Sequence, residues 1–214
     1  MNRLRVGILG GTFDPVHIGH LHIARAVRRR FRLDEIWFLI ARTPPHKRTA
    51  TISPEWHRCS MVAIAIRNEP SFKICDYELR SGSSYTINTL RALRGYYRSR
   101  IRFYFIAGGD ALRDFSQWHE FESLLEEFHI IFVRRAEIPD DGMPATLDPR
   151  VAARVRPYRR GDAPWNRGSF LVDVGAPPVS STDIRELGSA AKIRKWVSSE
   201  VYRYIVRHSL YEKR

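Results

Sequence analysis

The chain predicts an α/β fold, a doubly wound and mostly parallel sheet with a small C-terminal helical part, and three observations carry that reading. Apolar runs at Val6–Leu9, Ile36–Ala41, Ile101–Ala107 and Ile130–Val133 have the unbroken hydrophobicity of strands buried on both faces. Between them, apolar residues recur at helical spacing, as in Leu21, Ala24, Val27 and Phe31. His17, His46 and Asp110 each follow a strand end, where such sheets collect their ligands. The expected organisation is one domain over residues 1–214, with 180–214 as its C-terminal helical part.

The elements follow in order. Val6–Leu9 turns at Gly10-Gly11-Thr12-Phe13-Asp14-Pro15 into a helix. After the Ile36–Ala41 strand, Ser53-Pro54-Glu55 reads as a capping serine, a proline at the first helical position and an acid in the first turn, with Trp56, Cys59, Ala63 and Ile64 facing the sheet. Phe72–Asp76 fits a short strand, Thr86–Tyr96 a helix, and Ile101–Ala107 a strand ending at Gly108-Gly109-Asp110. Phe121, Leu124, Leu125 and Phe128 form one more helical face. Residues 134–168 hold Pro139, Pro144, Pro149, Pro157 and Pro164 without a clear period, and read as a long connection with one short helix. Phe170–Val174 is the last strand; helices start at Ser180-Ser181-Thr182-Asp183 and near Ser199.

Bulk properties narrow the chemistry. An apolar content of 43% can fill a core, and no apolar run approaches the roughly 18 residues that span a bilayer. With no signal-peptide pattern at the start, a cytoplasmic protein without a membrane partner is expected. Cys59 and Cys75 read as small buried hydrophobes, and no zinc-binding spacing occurs, so no protein-held metal is expected. The net charge of +13 favours polyanionic ligands, either nucleotides or nucleic acid. A basic nucleic-acid-binding protein is the alternative from another class, drawing on six arginines in residues 150–167 with Tyr158 and Trp165 interleaved. No recognised nucleic-acid module accompanies them, which disfavours that partner.

The sharpest feature is the pair His17 and His20, three residues apart at the start of the first helix. Unpaired N–H groups and the positive end of the helix dipole point there, which suits a phosphate. In-line displacement at phosphorus places charge on oxygens, so donors held in position suffice and no nucleophilic side chain is required. Walker, Gly-x-Gly-x-x-Gly and Gly-x-Ser-x-Gly motifs do not occur, which disfavours P-loop enzymes, dinucleotide-dependent dehydrogenases and α/β hydrolases.

The run from Gly10 to His20 resembles the T/HxGH signature of nucleotidyltransferases related to class I aminoacyl-tRNA synthetases. Thr43-Pro44-Pro45-His46-Lys47, Ser84-Tyr85-Thr86-Ile87-Asn88-Thr89-Leu90, Gly108-x-Asp110-Ala111-Leu112 with Phe115 and Trp118, Val179–Arg185 and Tyr204–Tyr211 narrow the resemblance to bacterial nicotinate-nucleotide adenylyltransferases. That family has a Rossmann-like sheet and joins the AMP part of ATP to nicotinate mononucleotide in NAD biosynthesis, releasing pyrophosphate. The resemblance implies ATP and nicotinate mononucleotide as partners and Mg2+ arriving with ATP.

By the same likeness His17, His20, Lys47 and Arg185 are the catalytic candidates. Gly10, Gly11, Thr12 and Phe13 would line ATP by their backbone, with His17, His20, Ser181, Thr182 and Arg185 on its phosphates. His46, Lys47, Tyr85, Thr86, Gly108, Asp110, Trp118 and Arg134 would take the mononucleotide, Trp118 stacking on the pyridine ring. Nicotinamide mononucleotide and phosphopantetheine remain alternative acceptors within the superfamily, Tyr85–Leu90 and Trp118 speaking against the second. A homo-oligomer is left open as a partner.

Overall fold

Strand alternation sorts the apolar side chains onto two faces, and helices cover both. In the computed structural model β1 (Leu4–Gly11) leads to α1 (Ile18–Arg30), β2 (Glu35–Ile40), α2 (Glu55–Ile66), β3 (Phe72–Cys75), α3 (Tyr77–Ser81), α4 (Thr86–Tyr97) and β4 (Ile101–Gly108). The chain continues through α5 (Gly109–Arg113), α6 (Phe121–Glu127), β5 (His129–Val133), α7 (Pro149–Ala152), β6 (Val155–Pro157), β7 (Ser169–Val172), α8 (Ser181–Glu186), α9 (Ala190–Ile193) and α10 (Ser199–Arg207). The structure describes residues 3–42, 52–82, 85–134, 147–159, 162 and 168–212, the side chain of Asp110 excepted.

The sheet order is β3-β2-β1-β4-β5-β7-β6, and every neighbouring pair is parallel. Ile36, Phe38 and Ile40 pack with α1 and α2, whereas Trp37 and Leu39 pack on the other side with α4 and α6. The apolar stripe of α1 reads as the sequence predicts, with Ala24, Val27 and Phe31 fully buried, each large side chain contributing roughly 2 kcal/mol. β1 lies between β2 and β4, so the connections leaving it and returning beside it diverge there. In sheets of this kind such a divergence, beyond the carboxyl ends of β1 and β4, is the usual ligand position.

Three expectations are corrected. Of the residues expected to face the sheet from α2, Cys59 and Ile64 are half-buried against the core, whereas Trp56 is 58% exposed and Ala63 is exposed too; the buried residues are His57, Arg58, Met61, Val62 and Ile66. A polar pair inside that face broke the apolar period and shifted its reading by about one residue. Ser53 does not cap α2 with its side chain. Pro54 stands at the cap, and the Ser53 backbone N–H donates to Asp14 Oδ2 at 3.0 Å. Finally, the 134–168 connection contributes, besides the short helix α7, the edge strand β6, whose Pro157 and three-residue length hid it.

α10 packs on α2 through Val201 and Ile205, and Tyr204 OH lies 3.0 Å from His57 Nδ1. Cys59 and Cys75 are free thiols. Among the described residues no helix is long and apolar enough to cross a membrane.

Candidate active site

The loop after β1 builds the site's first wall. Gly11 sits under the Phe13 ring, so that a Cβ there would come within 3.0 Å of it. Phe13 takes φ 52°, left-handed for a residue with a side chain, and buries its ring edge-on to His20 at 5.0 Å. His17 is the extended residue that caps α1; its carbonyl accepts the His20 N–H at 3.0 Å, and its own N–H donates to His20 Nδ1 at 3.3 Å. With Nδ1 accepting, a neutral His20 carries its proton on Nε2. The two imidazoles lie with centroids 3.7 Å apart and planes tilted by 32°, and His17 is buried.

The second wall comes from the other end of the chain. Ser180 caps α8: its Oγ accepts from the Asp183 N–H at 3.1 Å, and Asp183 Oδ2 accepts from the Ser180 N–H at 2.9 Å. The next two residues and the helix's arginine reach the first wall. Ser181 Oγ donates to the Pro15 carbonyl at 2.9 Å, and Arg185 donates through Nη1 to the Asp14 carbonyl at 2.7 Å and through Nη2 to Thr182 Oγ1 at 3.2 Å. A Cβ on Gly19 would lie 3.2 Å from Val179 and 3.0 Å from the His17 ring, which brings the first turn of α1 and the approach to α8 into one place.

Two buried polar residues unmarked by the sequence reading hold these walls. Arg58 is 1% exposed and donates to the carbonyls of Thr12, Ala41, Arg42 and Ser53 at 2.8, 2.8, 3.0 and 3.1 Å. One planar fork thus ties the loop after β1 to the end of β2 and the start of α2. Burial lowers its pKa while Asp14 and Glu55 raise it, and a guanidinium stays charged throughout. Asp14, fully buried, accepts from the Ser53 N–H and from Tyr211 OH. The available signal for Arg58 was an arginine spaced three and four residues from Met61 and Val62 on an apolar face.

The third group of residues stands at and beyond the carboxyl end of β4. Gly108 ends β4 and caps α5, which carries Asp110; Arg134 follows β5 and donates its N–H to the Val172 carbonyl at 2.8 Å. Trp118 is half-buried, 5.1 Å from the Phe115 ring and 6.1 Å from Phe105, and its N–H is taken by the Phe115 carbonyl at 3.0 Å. Tyr85 caps α4 and its ring lies 4.4 Å from His119, so Thr86 at the start of α4 stands beside the Trp118 turn. Beneath it Glu78, 4% exposed, accepts from Thr89 Oγ1 at 3.0 Å, and burial pushes its carboxyl up to about 7.

His46 and Lys47 lie outside the described residues. Gly10, Gly11, Thr12, Phe13, His17, His20, Ser181, Thr182 and Arg185 gather around the loop after β1, whereas Tyr85, Thr86 and Trp118 form a separate group. Among the described residues no three His, Cys, Asp or Glu side chains group to hold a metal. The donors on the first two walls are imidazoles, hydroxyls and a guanidinium, a set for anionic oxygen. Of the arginines in 150–167, Arg150, Arg154 and Arg156 pair with Asp148, Glu126 and Asp162 at 2.9, 2.8 and 3.1 Å.

Known proteins share the sequence pattern and the fold. A sequence model of the cytidylyltransferase-like family matches residues 8–187. A protein of Oceanobacillus iheyensis named "Probable nicotinate-nucleotide adenylyltransferase" is 40% identical over 208 residues, covering 96% of each chain. One of the same name from Syntrophotalea carbinolica is 40% identical over 214 residues, covering 97% of each. Among solved structures, the Plasmodium falciparum nicotinic acid mononucleotide adenylyltransferase superposes with a TM-score of 0.76 at 21% identity over 98% of both chains in its complex with NaAD, and with a TM-score of 0.74 in its complex with APC. Sequence and fold together place the chain in the cytidylyltransferase-like family and, within it, among the nicotinate-nucleotide adenylyltransferases.

Proposed function

We infer that the protein transfers AMP from ATP to nicotinate mononucleotide, forming nicotinate adenine dinucleotide and pyrophosphate, as a cytoplasmic step of NAD biosynthesis. The observation that carries this reading is the joining of the His17–His20 pair to Arg185 through the Asp14–Pro15 turn, at the point where the sheet's connections diverge. A 5′-phosphate oxygen of the mononucleotide attacks the α-phosphorus of ATP, and the bond to the bridging oxygen of pyrophosphate breaks. Negative charge moves onto the leaving group, so donors already in place lower the barrier without covalent catalysis.

In this reading His17 and His20 donate to the triphosphate, with Gly10, Gly11, Thr12 and Phe13 offering backbone to the nucleotide. Ser181 and Thr182 flank the phosphates, and Arg185 pairs with departing pyrophosphate. The resemblance assigns Lys47 to the triphosphate and His46 to the mononucleotide. The donor set fits Mg2+ carried by the triphosphate and its waters rather than an ion resident in a protein cage; when bound it neutralises phosphate charge.

Trp118 offers its ring to the pyridine, while Tyr85, Gly108, Asp110 and Arg134 surround the rest of the mononucleotide. Since the Trp118 N–H is already spent on Phe115, the amides that read the substrate carboxylate are Thr86 and others of the Trp118 turn. Neutral N–H donors suit a carboxylate and clash with the NH2 of an amide, which favours nicotinate over nicotinamide. The test supplies purified protein with ATP, Mg2+ and each mononucleotide in turn and measures pyrophosphate and dinucleotide. Faster turnover of nicotinate mononucleotide is expected, and turnover of the nicotinamide compound alone would overturn the assignment.

A further inference from the structure

The C-terminal segment Tyr204–Tyr211 enters no step above, yet its last aromatic returns to the site. After α10 ends, Ser209 and Tyr211 adopt φ of 47° and 65°, left-handed conformations that side chains rarely take and that persist where the surroundings over-determine them. The Leu210 N–H donates to the Ile205 carbonyl at 3.0 Å, so a tight turn closes α10. This delivers Tyr211 OH to 2.5 Å from Asp14 Oδ1, across 197 residues of chain. Burial, reinforced by Asp14, pushes the phenol's pKa upward, so the hydroxyl keeps the proton it donates.

Both carboxylate oxygens of Asp14 are thereby engaged, Oδ1 by Tyr211 and Oδ2 by the Ser53 N–H at 3.0 Å, while its main-chain oxygen holds Arg185 Nη1 at 2.7 Å. The neighbouring Pro15 carbonyl takes Ser181 Oγ, and His17 follows two residues on. Tied at both carboxylate oxygens, the side chain pins the stretch of main chain that carries it, and with it the carbonyl that aims the guanidinium. A buried charge with two fixed donors has no freedom to swing.

We propose that Tyr211 is a positioning residue for the transfer reaction: through Asp14 it fixes the direction of Arg185 and the path of the loop leading to His17. The inference rests on the role given to Arg185 above. Tyr211 itself touches no substrate, so its removal acts on the chemical step more than on binding of the mononucleotide.

Tyr211→Phe keeps the ring and removes one hydroxyl. Pyrophosphate release is measured with ATP and nicotinate mononucleotide varied separately, and urea unfolding is followed on the same samples. The expected result is a kcat at least about tenfold lower with KM for the mononucleotide within about twofold of wild type. In an Arg185→Lys background the same change should cost less than about twofold, because the group it acts through is already impaired. A wild-type kcat, an equal loss in both backgrounds, or a loss matching only the unfolded fraction would each overturn the proposal. Asp14→Asn, judged by the same criteria, decides the matter should Tyr211→Phe not fold. A wild-type protein that releases no pyrophosphate would instead sink the activity itself, which keeps the two failures apart.

Discussion

Arg185 Nη1 donates to the main-chain oxygen of Asp14 at 2.7 Å, linking positions 171 residues apart. The acceptor belongs to the backbone, so the test falls on the arginine. A lysine ammonium is a single point of charge and cannot hold Asp14, keep Thr182 and meet a phosphate with a planar fork. Arg185→Lys should lower kcat by about a hundredfold while KM for the mononucleotide stays within about threefold, the scale of losing one aligned donor to developing charge. Initial rates of pyrophosphate release check it; a loss confined to mononucleotide KM would place Arg185 on the other substrate.

Gly19 offers a prediction in which stability and activity part company. Alanine in a helix is favoured over glycine by roughly 1 kcal/mol, yet a Cβ here lies 3.0 Å from two atoms of the His17 ring. That ring must give by a few tenths of an ångström. Gly19→Ala should therefore keep or raise the melting temperature and lower kcat by about tenfold or more. Unchanged turnover would show that the His17 position is not critical.

Trp118 is only half-buried against Phe115 and Phe105, which leaves part of its ring for a ligand. Trp118→Ala should raise KM for nicotinate mononucleotide about tenfold, in keeping with a stacking contact of roughly 1–2 kcal/mol. KM for ATP should move by less than about twofold. The opposite pattern would put the indole on the ATP side.

Glu78 gives the molecule a pH-dependent component of stability. Burial raises its carboxyl from the usual 4.5 to about 7, so the folded state binds this proton more tightly than the unfolded state does. The associated stability is full below pH 4.5 and declines as pH rises to about 7, by roughly 3 kcal/mol in all. Glutamine keeps an acceptor for Thr89 and cannot ionise. Urea unfolding of Glu78→Gln against wild type at pH 5 and pH 8 should show the variant gaining relative stability at the higher pH; parallel curves would refute the shift.

Much of the sheet was legible because a buried parallel strand has to be apolar along its length. Val6–Leu9, Ile130–Val133 and the stripe Leu21 to Phe31 satisfy that demand with nothing else competing. The histidine pair and the late capping serine were legible too, since a sharp turn and a capped helix each need particular residues at particular offsets. Arg58 and Asp14 were not. Their partners are backbone oxygens, a backbone N–H and the distant Tyr211 hydroxyl, brought together only by the fold, and a charge with such partners can occupy an apolar face at little cost. The same blindness displaced the predicted face of α2, where His57 and Arg58 occupy the interior that Trp56 was expected to share. Trp118 shows a third kind of gap: the hydrogen bond spending its backbone amide depends on a single turn around Phe115 that no spacing rule specifies.

The sheet's two outermost strands also say how the molecule avoids sticking to itself. β3 is four residues long and carries Lys73, whose ammonium pairs with Glu35 at 2.7 Å; β6 is three residues long and closes on Pro157, which has no N–H to offer. Unsatisfied strand borders are templates for runaway pairing between chains, and brevity, a lysine and a proline are the means that blunt them. A protein with five apolar strands between these two is thus guarded against fibre-like assembly at its rims, where a lengthened β6 or a β-branched residue at 157 would be the first breach.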